Sequence, residues 1–312
     1  MGTPRAAERL APAKINLFLH VGPRAADGYH PICSLMAFAD FGDRVRLAPS
    51  ADMAFDIAGP FAGELDARAG NLVVRARDRL LEVIGGTPRP FRLSLDKRLP
   101  IAAGLGGGSA DAAATLNLLA EALGAAASDR ADLEIVAREL GADVAACLTS
   151  CSVIAEGRGD RLTPPPPMPP LDVVLINPGA PSSTPAVYRA FDDAGGGTTA
   201  ERPDPLPAFR STREVGAFLR TCRNDLEAPA IALQPIIGEV LAALRAEPET
   251  LLARMSGSGA TSFSLCADGR AAHRLADRLA RTHPAWWVRP CVLGLPTLHE
   301  TVILGNRGSL HA

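Results

Sequence analysis

Residues 100–114 read Pro-Ile-Ala-Ala-Gly-Leu-Gly-Gly-Gly-Ser-Ala-Asp-Ala-Ala-Ala. Glycines without side chains let the backbone turn sharply and bring its N–H groups close to an anion. The hydroxyl of Ser109 adds a donor, and the alanines predict a helix over residues 110–123. The positive end of that helix's dipole would point to the same place as the loop. The stretch therefore predicts a phosphate-binding loop that leads into a helix.

Two familiar phosphate-binding loops do not fit this stretch. A Walker A loop requires a lysine after its last glycine, and no lysine follows Gly107 or Gly108. A dinucleotide-binding loop has Gly or Ala at its sixth position, where this chain has Ser109, and it normally follows a first strand. A glycine-rich turn packed against a helix, without any ligand, is the structural alternative.

Composition argues against several classes of function. A chain of 312 residues with 47% hydrophobic content can bury one large core or two medium ones, and we expect two domains. A net charge of −2 without a basic stripe argues against nucleic-acid binding. No apolar run has the length of a membrane span, so we expect a cytoplasmic protein that binds no membrane. The six cysteines lack zinc-site spacing, which indicates reduced thiols.

The order of elements predicts an α+β fold instead of a regular βαβ succession. Residues 163–170, Thr-Pro-Pro-Pro-Pro-Met-Pro-Pro, indicate a linker, because this run continues neither a helix nor a central strand. The predicted domains are therefore residues 1–165 and 171–312, with a loop over 193–207. We expect strands at 14–21, 44–47, 55–57, 91–95, 171–177, 251–255, 261–265 and 286–293, and helices at 71–84, 110–123, 129–140, 211–222, 234–246 and 270–281.

Two further segments carry chemically suitable residues. In residues 12–17, Pro-Ala-Lys-Ile-Asn-Leu, the side chains of Lys14 and Asn16 leave the same face of the predicted strand. An ammonium and an amide on one face suit a phosphate or a substrate hydroxyl, although Lys14 alone fits a solvated strand end equally well. Residues 255–261, Met-Ser-Gly-Ser-Gly-Ala-Thr, form a glycine turn whose simplest interpretation is a hairpin.

Taken together, the three segments resemble the signature set of the GHMP kinases. Residues 27–30 (Asp-Gly-Tyr-His), 141–144 (Gly-Ala-Asp-Val) and 224–227 (Asn-Asp-Leu-Glu) extend the likeness over nearly the whole chain. The resemblance implies a two-domain α+β architecture with mixed and antiparallel sheets and an active site between the domains. It also implies a small-molecule kinase that uses ATP and Mg²⁺.

The same resemblance assigns roles to individual residues. Lys14 and Asp143 match the catalytic positions, with Asp143 accepting the proton of the acceptor hydroxyl and Lys14 holding it ionised. Asn71 and Lys97 match positions near the adenosine. The ATP phosphates are expected to be wrapped by Pro100, Ile101, Ala102, Ala103, Gly104, Leu105, Gly106, Gly107, Gly108, Ser109 and Ala110. No carboxylate is identifiable as a dedicated Mg²⁺ ligand, so we expect ATP and water to hold the metal.

The expected acceptor is a cytidyl diphosphate sugar alcohol, phosphorylated on its 2-hydroxyl. Its binding residues, by the same resemblance, are Asn16, Tyr29, His30, Thr184 and Tyr188, and the tyrosine rings suit stacking on a pyrimidine. Alternatives are a homoserine or mevalonate type of GHMP kinase and a non-catalytic member that binds nucleotide or metabolite. We expect a monomer or weak homodimer.

After Asp143 the chain departs from the usual family pattern with Ala-Ala-Cys at residues 145–147.

Overall fold

The computed structural model describes residues 5–66, 70–85, 89–123, 130–295 and 301–303. Within these ranges helices and strands form an α+β fold, as the sequence predicts. The strands are β1 (Ala7–Val21), β2 (Ile32–Pro49), β3 (Ala54–Ala58), β4 (Phe91–Asp96), β5 (Val153–Gly157), β6 (Arg161–Thr163), β7 (Leu171–Asn177), β8 (Thr250–Met255), β9 (Ser262–Cys266), β10 (Trp287–Leu293) and β11 (Val302–Ile303). The helices are α1 (Leu72–Ile84), α2 (Gly107–Leu123), α3 (Arg130–Leu140), α4 (Ala142–Thr149), α5 (Thr184–Asp193), α6 (Thr212–Leu219), α7 (Glu227–Leu233), α8 (Ile236–Arg245) and α9 (Gly269–Thr282).

The long strand β2 organises the sheet. It pairs antiparallel with β1, β4, β5 and β10, and the main path runs β11-β1-β2-β10-β7-β9-β8. Among the described strands only β3 and β4 pair in parallel, so the predicted mixture of sheet types is confirmed. The contact between β2 and β10, at Ala39 and Leu293, joins the strands of the two halves of the chain.

Helix α2 lies at the centre of the N-terminal half. Its alanines at 110 and 112–114 are buried, and small side chains let the helix approach β1, α1 and α4 closely. Alanine also has the highest helix propensity, so these residues favour both the helix and its close packing. The result is a rigid helix that begins at Gly107, at the end of the glycine loop.

Helices α8 and α9 cover the strands of the C-terminal half. Their buried side chains, among them Ile237, Val240, Leu275 and Leu279, belong to one continuous apolar cluster that also contains Val174 of β7. Burial of each such side chain stabilises the fold by roughly 1.5–3 kcal/mol. Strands β8 and β9 are joined by residues 256–261, so this packing also fixes the position of the second glycine turn.

Most predicted elements are present, with shifted ends. The structure adds residues 7–13 to the first strand, extends the second back to Ile32, and contains β5, β6, β11, α4, α5 and α7, which the sequence patterns did not reveal. Residue 129, the expected start of α3, lies outside the described residues. Residues 164–170 have no regular secondary structure, which fits a linker, and the domain boundary there stays a prediction. No helix in the described ranges is long and apolar enough to cross a membrane.

Candidate active site

A cavity of about 620 Å³ opens where the two halves meet. The strand β1, the glycine loop and the start of α4 supply one wall, and residues 182–185 and 257–258 supply the other. Most of the predicted site residues line it: Lys14, Asn16, Asn71, Lys97, all ten residues of 100–109, Asp143, Thr184 and Tyr188. Ala110 is buried in α2 behind this wall, and Tyr29 and His30 lie outside it.

The glycine loop is held by its carbonyl groups. The carbonyl oxygens of residues 102–105 accept hydrogen bonds from Ser182 N (3.2 Å), Thr261 N (3.0 Å), Ser256 Oγ (2.9 Å) and Lys14 N (2.8 Å), in that order along the loop. By contrast, no N–H group of residues 104–109 has a hydrogen-bond partner among the described residues. A row of unpaired N–H groups at a helix N-terminus is a site for an anion.

Gly104 is required by both conformation and space. Its φ of +73° lies in the left-handed region, and a Cβ added there would come within 2.3 Å of the Ser256 carbonyl oxygen. The side chains of Ala103 and Leu105 on either side are buried in the core cluster shared by both halves. The loop is therefore rigidly placed against the second glycine turn.

Lys14 and Asp143 form the central ion pair. The ammonium of Lys14 lies 3.0 Å from Asp143 Oδ2 and 3.1 Å from Asn16 Oδ1. Asn16 donates through Nδ2 to Ser34 Oγ (2.7 Å), which in turn donates to the Phe18 carbonyl (2.6 Å). This chain orients the amide so that its oxygen faces the lysine. Lys14 is buried, whereas the side chain of Asp143 keeps 41% of its exposure and reaches the cavity.

Asp143 lies at the start of a helix that the sequence analysis missed. The helix predicted to end at residue 140 does end there, as α3, and the sequence analysis predicts no further helix after it; in the structure Asp143 is the second residue of α4. A helix N-terminus favours a negative charge, so the backbone supports the carboxylate. Behind it, Ala145, Ala146 and Cys147 pack into the core against α2, and burial raises the pKa of the Cys147 thiol. The departure from the family pattern therefore forms a tight apolar backing.

Lys97 and Asn71 are both occupied by intramolecular contacts. Lys97 is buried and donates to Asp43 Oδ2 (2.5 Å) and Asp111 Oδ2 (2.8 Å). Asn71 caps α1, because its Oδ1 accepts from Val73 N at 3.0 Å. Both residues line the cavity, as the adenosine assignment requires, but their polar atoms already serve the fold.

The aromatic residues divide into two layers. Tyr188 lines the cavity, and burial, helped by the charge of Asp143, raises its pKa to about 12. The ring of His30 lies behind it, with centroids 5.2 Å apart, and is fixed by the Gly22 carbonyl (2.9 Å) and Asp192 Oδ1 (3.2 Å).

Tyr29 is 59% exposed and lies away from the cavity wall. The guanidinium of Arg158 lies 4.3 Å from the centroid of its ring, and Asp27 accepts both from Arg158 and, at 3.0 Å, from Tyr29 N. The structure therefore groups Tyr29 with a surface ion pair.

Several residues of the site were not singled out from the sequence. Ser256 and Ser258 belong to the second glycine turn, and Ser258 Oγ lies 2.7 Å from Thr184 Oγ1. Asn224, the first residue of the Asn-Asp-Leu-Glu motif, donates to the carbonyls of Met255 (2.9 Å) and Gly257 (2.8 Å) and thereby holds that turn. Asp111 could have been noticed as the one charged residue in an alanine-rich stretch.

Comparison with known proteins gives a consistent result. The sequence matches the family described as GHMP kinases N terminal domain over residues 71–150 and GHMP kinases C terminal over residues 206–285. It is 57% identical over 285 residues to the 4-diphosphocytidyl-2-C-methyl-D-erythritol kinase of Caulobacter vibrioides strain NA1000 / CB15N, covering 91% of this chain and 98% of that protein.

Solved structures agree with these sequence matches. A crystal structure of 4-(cytidine 5'-diphospho)-2C-methyl-D-erythritol kinase superposes with a TM-score of 0.71 at 36% identity, over 92% of this chain and 99% of that one. A homoserine kinase from Cytophaga hutchinsonii superposes with a TM-score of 0.68 at 19% identity, over 97% and 99% of the two chains, and so shares the fold.

Proposed function

The chain belongs to the GHMP kinases, a family of small-molecule phosphotransferases, and we propose that it transfers the γ-phosphoryl group of ATP to the 2-hydroxyl of 4-diphosphocytidyl-2-C-methyl-D-erythritol. This reaction would serve isoprenoid precursor synthesis. The observation that carries the proposal is the ion pair of Lys14 and Asp143, 3.0 Å apart, in the cavity that the glycine loop lines. The pair supplies a carboxylate for the acceptor hydroxyl and a cation for the transferred group, beside N–H groups that suit phosphates.

In this proposal the loop from Pro100 to Ser109 receives the phosphates of ATP. Its unpaired N–H groups and the dipole of α2 stabilise negative charge without any movement at the moment of reaction. Asn71 and Lys97 form the part of the wall expected to face the adenosine. Because both are fixed by their own hydrogen bonds, they contribute shape there.

Asp143 accepts the proton of the acceptor hydroxyl and orients that oxygen toward the γ-phosphate. Lys14, held by Asn16, places its ammonium where charge develops on the transferred group. A loose phosphoryl transition state needs little early deprotonation, so orientation and charge account for most of the contribution of Asp143.

The acceptor is proposed to lie along Asn16, Thr184 and Tyr188, with its cytosine toward Tyr29 and His30. Tyr188 and His30 already stack in a tilted arrangement, which gives a base one preorganised aromatic wall. Tyr29 would have to turn away from Arg158 to reach the same base. Its role as a stacking residue stays a prediction.

Mg²⁺ is proposed to enter with ATP. Mg²⁺ in nucleotide sites is commonly held by substrate phosphates, water and one or two protein oxygens. The described residues contain no group of three or more His, Cys, Asp or Glu placed to hold a metal, whereas Asp143 and Ser109 offer single oxygens at the cavity wall. These residues fit a metal held chiefly by nucleotide, which would neutralise phosphate charge.

A cytoplasmic location and a monomeric or weakly dimeric state also stay predictions.

A coupled ADP-release assay with three acceptors tests the assignment. We expect turnover with the cytidyl substrate and little with mevalonate or homoserine, since neither has a base for the aromatic wall to stack on. Turnover of mevalonate or homoserine alone would refute the proposed acceptor. Absence of turnover with all three would favour the non-catalytic alternative.

Asp143→Asn tests the mechanism. The variant removes the charge and the proton acceptor while keeping the size, so we expect kcat to fall by about 10²-fold or more. Asp277→Asn, the same change at an exposed position on α9, serves as the control and should leave kcat unchanged. Near-normal kcat in Asp143→Asn would remove this carboxylate from the mechanism.

A further inference from the structure

Asn224 opens the Asn-Asp-Leu-Glu motif at residues 224–227 and does not line the cavity. Its side chain is buried and fully bonded. Nδ2 donates to the carbonyl oxygens of Met255 (2.9 Å) and Gly257 (2.8 Å), and Oδ1 accepts from Leu226 N (3.0 Å). This position therefore requires two donor hydrogens and one acceptor, which an amide supplies. Aspartate has the same shape but offers neither donor when it is ionised.

The backbone on both sides of Asn224 is fixed to strand β1. Leu19 N donates to the carbonyl oxygen of Arg223 at 2.9 Å, and Leu19 O accepts from Asp225 N at 2.9 Å. These two bonds form a short parallel bridge between the motif and β1. The amide of Asn224 is therefore held in the frame of the strand that carries the lysine of the central ion pair.

The two carbonyls that Asn224 holds flank Ser256 in the chain. Ser256 is fully buried, and its hydroxyl oxygen accepts from Asn16 N at 3.1 Å and donates to Gly104 O at 2.9 Å. Asn16 belongs to β1, and Gly104 belongs to the glycine loop. The hydroxyl of Ser256 thus connects the strand to the loop, and Asn224 holds the backbone on either side of that hydroxyl.

The second glycine turn has little room to move at this point. A Cβ added to Gly257 would lie 3.2 Å from Asn16 Oδ1 and 3.3 Å from Gly104 O. Asn16 Oδ1 is also the atom that accepts from Lys14 Nζ. In such close packing, a shift of the turn is transmitted to the amide that holds the lysine and to the loop.

We infer that Asn224 is a positioning residue for phosphoryl transfer, which acts through Ser256 by fixing the distance between β1 and the glycine loop. The inference rests on the proposed kinase reaction. In that reaction the lysine ammonium on β1 and the N–H groups of the loop must reach the same phosphoryl group. A misplacement of about 1 Å that starts far from the chemistry can lower a rate by about 10²-fold.

Asn224→Asp is the informative variant. It keeps the size of the side chain and the acceptor for Leu226 N, but it turns a carboxylate oxygen toward two carbonyl oxygens. The repulsion should displace the turn, so kcat with the cytidyl acceptor should fall by about tenfold or more. KM for ATP and for the acceptor should each change by less than about threefold, because every group that is proposed to bind them is still present. Circular dichroism gives the folded fraction to which kcat is referred.

Asn117→Asp is the matched control. Asn117, on α2, donates through Nδ2 to Leu148 O at 3.0 Å, near the end of α4 that is opposite Asp143. The variant makes the same chemical change and also loses a bond to a carbonyl, but this bond lies apart from the second glycine turn. We expect Tm to fall and kcat to stay close to that of the wild type. Equal losses of kcat in the two variants would mean that general loosening of the fold is the cause, and this overturns the inference.

Ser256→Ala tests the second step and serves if Asn224→Asp does not fold. Removing the hydroxyl breaks the connection between Asn16 N and Gly104 O, so kcat should fall here as well. The double variant Asn224→Asp/Ser256→Ala should lose no more activity than the more impaired single variant, because both changes act through one hydroxyl. Unchanged kcat in Ser256→Ala, or independent losses that multiply in the double variant, contradicts the relay.

Turnover by the wild type separates this inference from the proposed function. If the wild type phosphorylates none of the three acceptors, the proposed function fails and the inference fails with it. If the wild type phosphorylates the cytidyl acceptor and folded Asn224→Asp keeps its kcat, the inference alone fails.

Discussion

Gly104→Ala adds a single methyl group where the glycine loop touches the second glycine turn. The added Cβ would lie 2.3 Å from the Ser256 carbonyl oxygen and 2.9 Å from that of Gly259, and both of these neighbours are backbone. An ordinary carbon–oxygen contact is about 3.3–3.6 Å, so the two segments must separate by about 1 Å. Separation weakens the bonds from Ser256 Oγ to Gly104 O (2.9 Å) and from Thr261 N to Ala103 O (3.0 Å).

The cost has two parts that can be estimated separately. Holding alanine at a φ of +73° costs about 1–2 kcal/mol. Overpacking against a backbone that resists movement costs about 1–3 kcal/mol more. The free energy of unfolding should therefore fall by about 2–5 kcal/mol, which at roughly 2 °C per kcal/mol lowers Tm by roughly 4–10 °C. Since the loop leaves its position, KM for ATP should rise as well.

Gly108→Ala is the matched control, four residues along the same segment. Gly108 is helical, and its added Cβ would meet only Leu72 Cδ1 at 3.5 Å, an ordinary contact. Alanine in a helix is favoured over glycine by roughly 0.5–1 kcal/mol, so Tm should stay the same or rise slightly. Differential scanning calorimetry of both variants decides the question. Equal Tm values would refute the argument that the contact with Ser256 fixes the loop.

Two further predictions concern buried titratable groups. The pKa of Asp111 is raised from 3.8 to about 8, so the fold favours the protonated carboxyl group. The free energy of unfolding that this protonation contributes is fully present below pH 4 and is lost as the pH rises to 8. Urea denaturation should therefore show Asp111→Asn gaining stability relative to wild type between pH 5 and pH 8.5. Alkylation at pH 8 followed by mass spectrometry should label Cys151, which is exposed, and spare Cys147, since burial raises the pKa of that thiol and closes access to it.

Elements with a local signal were predictable from the sequence. Helix α1 is an example: Asn71 caps it, its apolar side chains recur at helical spacing, and Gly85 ends it with a φ of +70°. Helix α9 likewise begins where Asp268 accepts from Ala271 N. In such segments the residues that form the local structure, the caps and the apolar face, are also the ones that make the sequence pattern recognisable.

The sequence patterns did not predict the elements that depend mainly on contacts with distant parts of the chain. The first half of β2 is buried on both faces, so its residues do not alternate, and its partners β1, β5 and β10 define it. Helix α4 has only eight residues, too few for a clear period, and is stabilised by packing against α2. For these segments tertiary contacts decide the structure.

The candidate site likewise contains residues with a local sequence signal and residues that only the fold brings together. The sequence predicts a glycine loop suited to phosphate, but the pairing of Lys14 with Asp143 spans 129 residues. No local pattern links these two residues, and only the resemblance to the GHMP kinases predicts that they share a site. Neither the sequence pattern nor the family resemblance predicted that Tyr29 lies away from the cavity. Its ring is covered by Arg158, which reaches it from the turn between β5 and β6, two strands that had not been predicted.

The two lysines explain why the glycine loop has its particular composition. Of 32 basic residues only Lys14 and Lys97 are lysines, and both are buried beside a carboxylate. An added Cβ on Gly106 would lie 3.1 Å from Lys14 Cε, and one on Gly107 would lie 3.0 Å from Lys97 Nζ.

Consecutive glycines therefore give each lysine room to reach its carboxylate directly beneath the loop. A planar guanidinium is larger and would press into that backbone, so arginine, used everywhere else in this chain, does not suit either position. The absence of side chains at these glycines thus leaves space for the two compact cations behind the loop, and it leaves the loop N–H groups open to the phosphates that are proposed to bind there.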